Sequence, residues 1–232
     1  MRRWLGVGSV AALLVAGGLL MGRDSGRGQE GEREPVEGRD RAGHVFRVDP
    51  GESWVVAVTE KAGALGFLGH RHAVLVTEWD AEVDWRPDEP SASRATVTMP
   101  ARSLRIDTTR GRELAGIGDG PGADDVAELQ EKMLSAENLA AARHPELRFR
   151  VTGVEGRRGG GLEIAGELTV RGKARAARFP VAVAPAGAGA TEFTGSFAVD
   201  QTDFGIEPES IGGVVKVADP VEIRFRIVLR SR

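Results

Sequence analysis

A chain of 232 residues, 41% of them hydrophobic, has material for one sizeable core plus an appendage and needs no covalent staples. The absence of cysteine excludes disulfides, thiolate zinc sites, iron-sulfur clusters, thiol nucleophiles and a lipid-modified N-terminal cysteine. A formal net charge of -3, from 31 basic against 34 acidic side chains, speaks against a nucleic-acid binder, which carries a clustered basic excess.

At the N-terminus, Arg2 and Arg3 precede the uncharged stretch WLGVGSVAALLVAGGLLMG, from Trp4 to Gly22. A positive start followed by an apolar segment is the plan of a secretory signal. GLLMGRDSG offers no good small-residue cleavage site, however, and the uncharged stretch nearly reaches the roughly 20 residues that span a bilayer. Residues 1–22 therefore read as a signal peptide or as an uncleaved membrane anchor. Either places the rest of the chain outside the cytoplasm, since the arginines hold the N-terminal side in. Residues 23–43 are rich in charge and glycine and should form a disordered linker. Residues 44–232 are the folding domain.

Along that domain the dominant signal is period two. Trp54, Val56 and Val58 share one parity; after His72 one parity carries Leu75, Trp79, Val83 and Trp85 while the other carries Glu78, Asp80, Glu82 and Asp84. The alternation returns at Ala95, Val97 and Met99, then at Leu147, Phe149 and Val151. It continues at Leu162, Ile164, Leu168 and Val170, at Phe179, Val181 and Val183, and at Phe193, Phe197 and Val199. It is clearest at the end, where Val221, Ile223, Phe225, Ile227 and Leu229 oppose Glu222, Arg224, Arg226 and Arg230. Repeated alternation predicts an antiparallel sheet with one wet face. About eight such strands suit an all-β sandwich or closed barrel. Between Asp107 and His144 the pattern breaks. The glycine-rich loop GIGDGPG leads into ADDVAELQEKMLS, whose Val126, Leu129, Met133 and Leu134 recur at helical spacing, with Asp125 and Glu128 as a capping-box-like start. One helix, or a helix pair ending before Pro145, should lie across the sheet.

Few residues carry chemistry. His70 and His72, two apart in GFLGHRH, could begin a metal site, but zinc needs at least one more protein ligand, and the bland alternative is a loop turning into a strand. GIGDGPG lacks the lysine of a phosphate-binding loop, and Asp119, Asp124 and Asp125 would repel a phosphate. There is no G-x-S-x-G. The acidic row from Glu78 to Asp84 and the arginines of the last strand read as solvated faces.

Several blocks together resemble the YceI-like, lipid- or polyisoprenoid-binding family: FRVDPGESWVVAV, HPELRFRVTGV, GELTVRGKARAARFPVAV, and FAVDQTDFGI followed by IGGVVKVADPVEIRF. They occur in the family's order and cover residues 45–231, and GFLGHRH looks like the G-H-x-H of one branch. The resemblance implies an antiparallel eight-stranded, lipocalin-like barrel whose apolar interior holds a long isoprenoid or fatty chain, in an exported bacterial protein. The expected function is thus non-catalytic binding or carriage of such a lipid in the cell envelope, with no cofactor, no nucleic-acid partner, and membrane contact through residues 1–22 if these are uncleaved. By parity the candidate lining is Trp54, Phe67, Leu75, Trp79, Phe149, Phe179, Phe197, Phe204 and Phe225, with Phe67 and Leu68 in the loop at one mouth. The rivals are a metal-dependent enzyme using His70 and His72, and a barrel filled by its own side chains with a structural or partner-binding role. An interior of eight strands is just wide enough for either packing or one small ligand.

Overall fold

A computed structural model describes residues 46–63, 70–118, 120–211 and 215–231. The signal-or-anchor segment, the linker, and the loop residues Phe67 and Leu68 lie outside the described residues. In chain order the elements are β1 (Phe46–Val48), β2 (Trp54–Ala62), β3 (His72–Val76), β4 (Asp80–Asp84), β5 (Arg94–Pro100), β6 (Leu104–Ile106), α1 (Thr109–Ala115) and α2 (Ala123–Leu134). Beyond them lie β7 (Glu146–Gly156), β8 (Leu162–Val170), β9 (Lys173–Pro185), β10 (Ala190–Asp200), β11 (Ser210–Ile211) and β12 (Val215–Ser231).

Every strand pairing is antiparallel, in the order β4-β5-β7-β8-β9-β10-β12-β2-β3-β6, with β1 and β11 added to β12. The two ends of this order are halves of one bent hairpin. Val76 of β3 pairs with Leu104 of β6, and just past the corner Asp80 of β4 pairs with Thr98 of β5. With β3–β4 and β5–β6 each taken as one bent strand, the ten strands of the order become a ring of eight. The corner is tied where Thr77 N–H donates to Ser103 O (3.2 Å) and the Ser103 hydroxyl donates to Glu78 O (3.1 Å).

A bent hairpin leaves two seams, and each is covered. β1 pairs with the end of β12 and lies against β4. On the other side α2 reaches the free edge of β6 through one side chain: Gln130 accepts from Ile106 N–H (3.0 Å) and its amide donates to Leu104 O (3.0 Å), standing in for a missing strand. Between β8 and β9 the turn is Arg171-Gly172, both at positive φ (50° and 71°), the two-residue connection whose twist suits a tight hairpin.

The antiparallel, lipocalin-like barrel with a helix pair is the fold the alternation and the family resemblance imply. Three local expectations are corrected. α2 starts at Ala123 with Gly122 as its N-cap and no side-chain cap, so Asp125 and Glu128 form no capping box. α1 lies ahead of the GIGDGPG loop, where no helix is expected because TRGRELA shows no apolar period; it is held by Thr108, whose hydroxyl accepts from Gly111 N–H (3.0 Å), and by Gly116 in the left-handed conformation. Finally, the parity of β2 and early β3 is reversed. Val56, Val58 and Ala73 are buried on the outer face of the wall, beneath α1, together with Ala115 and Ile117. Both parities of WVVAV are apolar because both faces of β2 are covered.

Candidate functional site

The barrel interior holds a cavity of about 560 Å³, inside the ~300–1,000 Å³ range of small-molecule sites. Its wall is almost wholly apolar, drawn from β2 through β12 and, at one end, from Leu129 and Met133 of α2. The aromatic residues cluster on one side: Phe179 stacks on Phe197 with centroids 4.3 Å apart, and Phe149 and Phe225 each lie 5.8 Å from Phe179. Glycines make room for these rings. A Cβ at Gly166 would collide with Phe149, and one at Gly195 would meet Phe225 at 2.8 Å. Rings thus stand where wall side chains would otherwise project, and the lumen keeps its volume. At one end Trp85 meets Phe193 edge-on at 5.0 Å, within a cluster that includes Leu229 and Val181.

Of the residues assigned to the lining by parity, Trp79, Phe149, Phe179, Phe197, Phe204 and Phe225 border this cavity. Trp54 and Leu75 do not. They stand on the outer face, in a groove beside Leu114 of α1, and Gly111 of α1 comes close over Leu75. For Trp54 the reason is that both faces of β2 are covered and Val55, Ala57 and Thr59 are the inward ones. For Leu75 it is a phase slip at the corner: His72, Val74 and Val76 face inward before it, and Trp79, Ala81, Val83 and Trp85 after it. Leu75 and Trp79 therefore share a parity in sequence but not a face.

The polar lining is sparse. Lys132 of α2 and Glu209, before β11, form a 2.8 Å ion pair, both side chains partly exposed, so the pair marks an opening on the α2 side. Elsewhere on the wall, His72 and Thr59 are cross-strand partners on β3 and β2, and both residues border the cavity. His72 Nδ1 lies 2.6 Å from Oδ2 of Asp107, whose side chain is fully buried. Asp107 Oδ1 also accepts from Ala73 N–H (3.0 Å) and from Arg112 (2.6 Å). Arg112 is held in turn, its guanidinium donating to Gly118 O (2.8 Å) and Arg71 O (3.1 Å). Burial pushes the Asp107 carboxyl up, but the hydrogen bonds from His72, Ala73 and Arg112 outweigh it and hold the group below its ordinary value.

His70 and His72 do not converge. The strand begins only at His72, and His70 before it is exposed. Among the described residues no group of three His, Asp or Glu is placed to hold a metal ion. The His72–Asp107–Arg112 cluster had no short-range signal: His72 and Asp107 are 35 residues apart and meet only because β3 pairs with β6.

An antiparallel ring of strands around an apolar cavity, with a helix pair at its side, defines a lipocalin-like barrel. The YceI-like domain model matches residues 46–229, and the chain belongs to that family. Its fold is similar to that of BcnA from Burkholderia cenocepacia, with a TM-score of 0.60 and 20% identity over 78% of this chain and 99% of that one. It is also similar to a polyisoprenoid binding domain from Saccharophagus degradans implicated in plant cell wall breakdown (TM-score 0.54, 10% identity, 81% and 99% of the two chains). The Campylobacter jejuni YCEI protein is a third likeness (TM-score 0.51, 13% identity, 68% and 84%). No curated protein matches the chain.

Proposed function

We propose that this domain binds and carries one long-chain isoprenoid or similar lipid, without catalysis, in the bacterial cell envelope. The observation that carries the reading is the apolar cavity of about 560 Å³ inside the barrel. Its size speaks against a lumen filled by its own side chains, and the polyisoprenoid binding domain among its structural likenesses supports an isoprenoid as cargo. Energetics favour long chains. Each methylene transferred from water contributes about 0.8 kcal/mol, while association costs ~4–15 kcal/mol, so net binding by burial alone needs a chain of at least roughly 5 to 19 carbons, depending on that cost. The rest of the reading is that residues 1–22 export the chain and, uncleaved, tether it. Among the described residues no helix is long and apolar enough to cross a membrane.

The test is mass spectrometry of an organic extract from the never-denatured protein. A long-chain lipid at about one per chain is expected. An extract without lipid, from a protein that also takes up none when offered, overturns the proposal.

A further inference from the structure

We infer that α2 is a lid over the lumen, hinged at its C-terminal end, and that a bound lipid chain completes its packing through Leu129. This rests on the lipid-binding reading above and deepens it by naming the way in.

The apolar stripe of α2 faces a space and not a core. Val126, Leu129, Met133 and Leu134 recur at helical spacing, yet none of the twelve residues of α2 is buried. Leu129 and Met133 border the cavity. Met133 packs against Val76, Met99 and Leu104, whereas Leu129, one turn earlier, belongs to none of the apolar clusters of the described residues. A helix this short is marginal in water by itself and takes its stability from packing its apolar face. Here that face stays half-packed until a chain fills the lumen.

The two ends of α2 are held unequally. Just past the C-terminus, Leu139 N–H donates to Met133 O (3.1 Å) and Ala141 N–H to Leu134 O (3.2 Å), with Ala140 and Ala141 buried. Arg171, in the β8–β9 turn, clamps the same segment by donating to Ala136 O (3.2 Å) and Glu137 O (2.9 Å). At the other end the N-cap is Gly122, with no side-chain cap. Among the described residues, no side chain from Ala123 to Leu129 has a hydrogen bond or ion pair to the barrel. The first such ties are Gln130 to the β6 edge and Lys132 to Glu209 (2.8 Å), and the latter is an exposed pair that contributes little. Gln130 is therefore the catch. Once its two bonds are released, the N-terminal turns swing away about the clamped end and carry Leu129 out of the cavity wall. A lipid that gives Leu129 a packing partner favours the closed lid, and the closed lid in turn favours the bound lipid.

The experiment follows farnesol binding to the delipidated full-length chain by quenching of tryptophan fluorescence, since Trp79 and Trp85 border the cavity, and reads the lid by amide hydrogen exchange. An undocked helix of this length does not keep its own hydrogen bonds, so opening appears as exchange. With farnesol bound, exchange at Val126 to Gln130 should slow by about tenfold or more, while α1 on the outer wall keeps its rates. Leu129→Ala should weaken farnesol binding several-fold and leave the urea midpoint of the ligand-free chain unchanged, as a residue that packs on ligand and not on protein must. Farnesol bound with no change of exchange in α2, or bound equally well by Leu129→Ala, overturns the lid while leaving the carrier reading intact. A wild-type chain that binds no farnesol overturns both.

Discussion

On β9 the outer face meets water: Ala174, Arg178, Ala182 and Ala184 are exposed while Phe179 and Val181 are buried inside. On β2 and β3 the outer face meets α1, and Val56, Val58 and Ala73 are as deeply buried as anything in the domain. The same antiparallel ladder therefore has one side made of a single layer and another made of two. Only the two-layered side supplies a covered place for the Asp107–Arg112 pair, and so for the fixed histidine that faces the lumen. The difference teaches that α1 backs the stretch of wall that carries His72: Arg112 of α1 balances the buried Asp107 that holds the imidazole.

The sharpest way to break this comparison is to put one charge on each outer face. Val56→Asp, with no solvent and no partner, should cost more than about 4 kcal/mol and leave little folded protein, whereas Ala182→Asp on the wet side should stay within about 0.5 kcal/mol in urea unfolding. Next in size is Asp107→Ala, which strands the largely buried Arg112 charge and should cost about 3 kcal/mol. The same carboxylate gives the covered wall its acid limit. Its pKa is lowered in the folded state, so its contribution is fully present above the ordinary value of 3.8 and is lost as pH falls through the lowered one. Thermal melts below that pH should converge for wild type and variant. The smallest effect is expected at the α2 seam, where Gln130→Ala removes both bonds to the β6 edge. It should cost about 1–2 kcal/mol and speed amide exchange at Ile106.

The contrast also governs how much the residues alone reveal. Where one face is wet, charge marks it, and the lining parity of β7 to β12 is legible from Arg148, Glu163, Arg178 and Arg224 opposing aliphatic and aromatic neighbours. Where α1 covers the wall that marker disappears, so Trp54 and Leu75 read as lining although they lie outside it. The corner at Thr77–Trp79 adds a phase slip that no alternating pattern can carry across. α1 itself is only seven residues long, fixed by a threonine cap and a left-handed glycine and not by an apolar stripe. The His72–Asp107–Arg112 cluster was illegible for a different reason: its parts come from β3, the residue after β6, and α1, and His72 meets Asp107 because β3 pairs with β6. The described residues of the four family blocks, by contrast, lie in strands and turns of the ring, and the chain's membership in the YceI-like family agrees with them.

The central claim is that the lumen is room for a chain and not a packed core. Ala57 of β2 and Ala95 of β5 are small residues that border the cavity, and replacing both by tryptophan fills that room without touching an ion pair. Equilibrium binding of farnesol to the wild type and to the Ala57→Trp, Ala95→Trp double variant, each shown to be folded by circular dichroism, tests the claim most directly. One molecule bound per wild-type chain and none per variant chain is the predicted result; equal binding to both would place the ligand elsewhere and contradict the account.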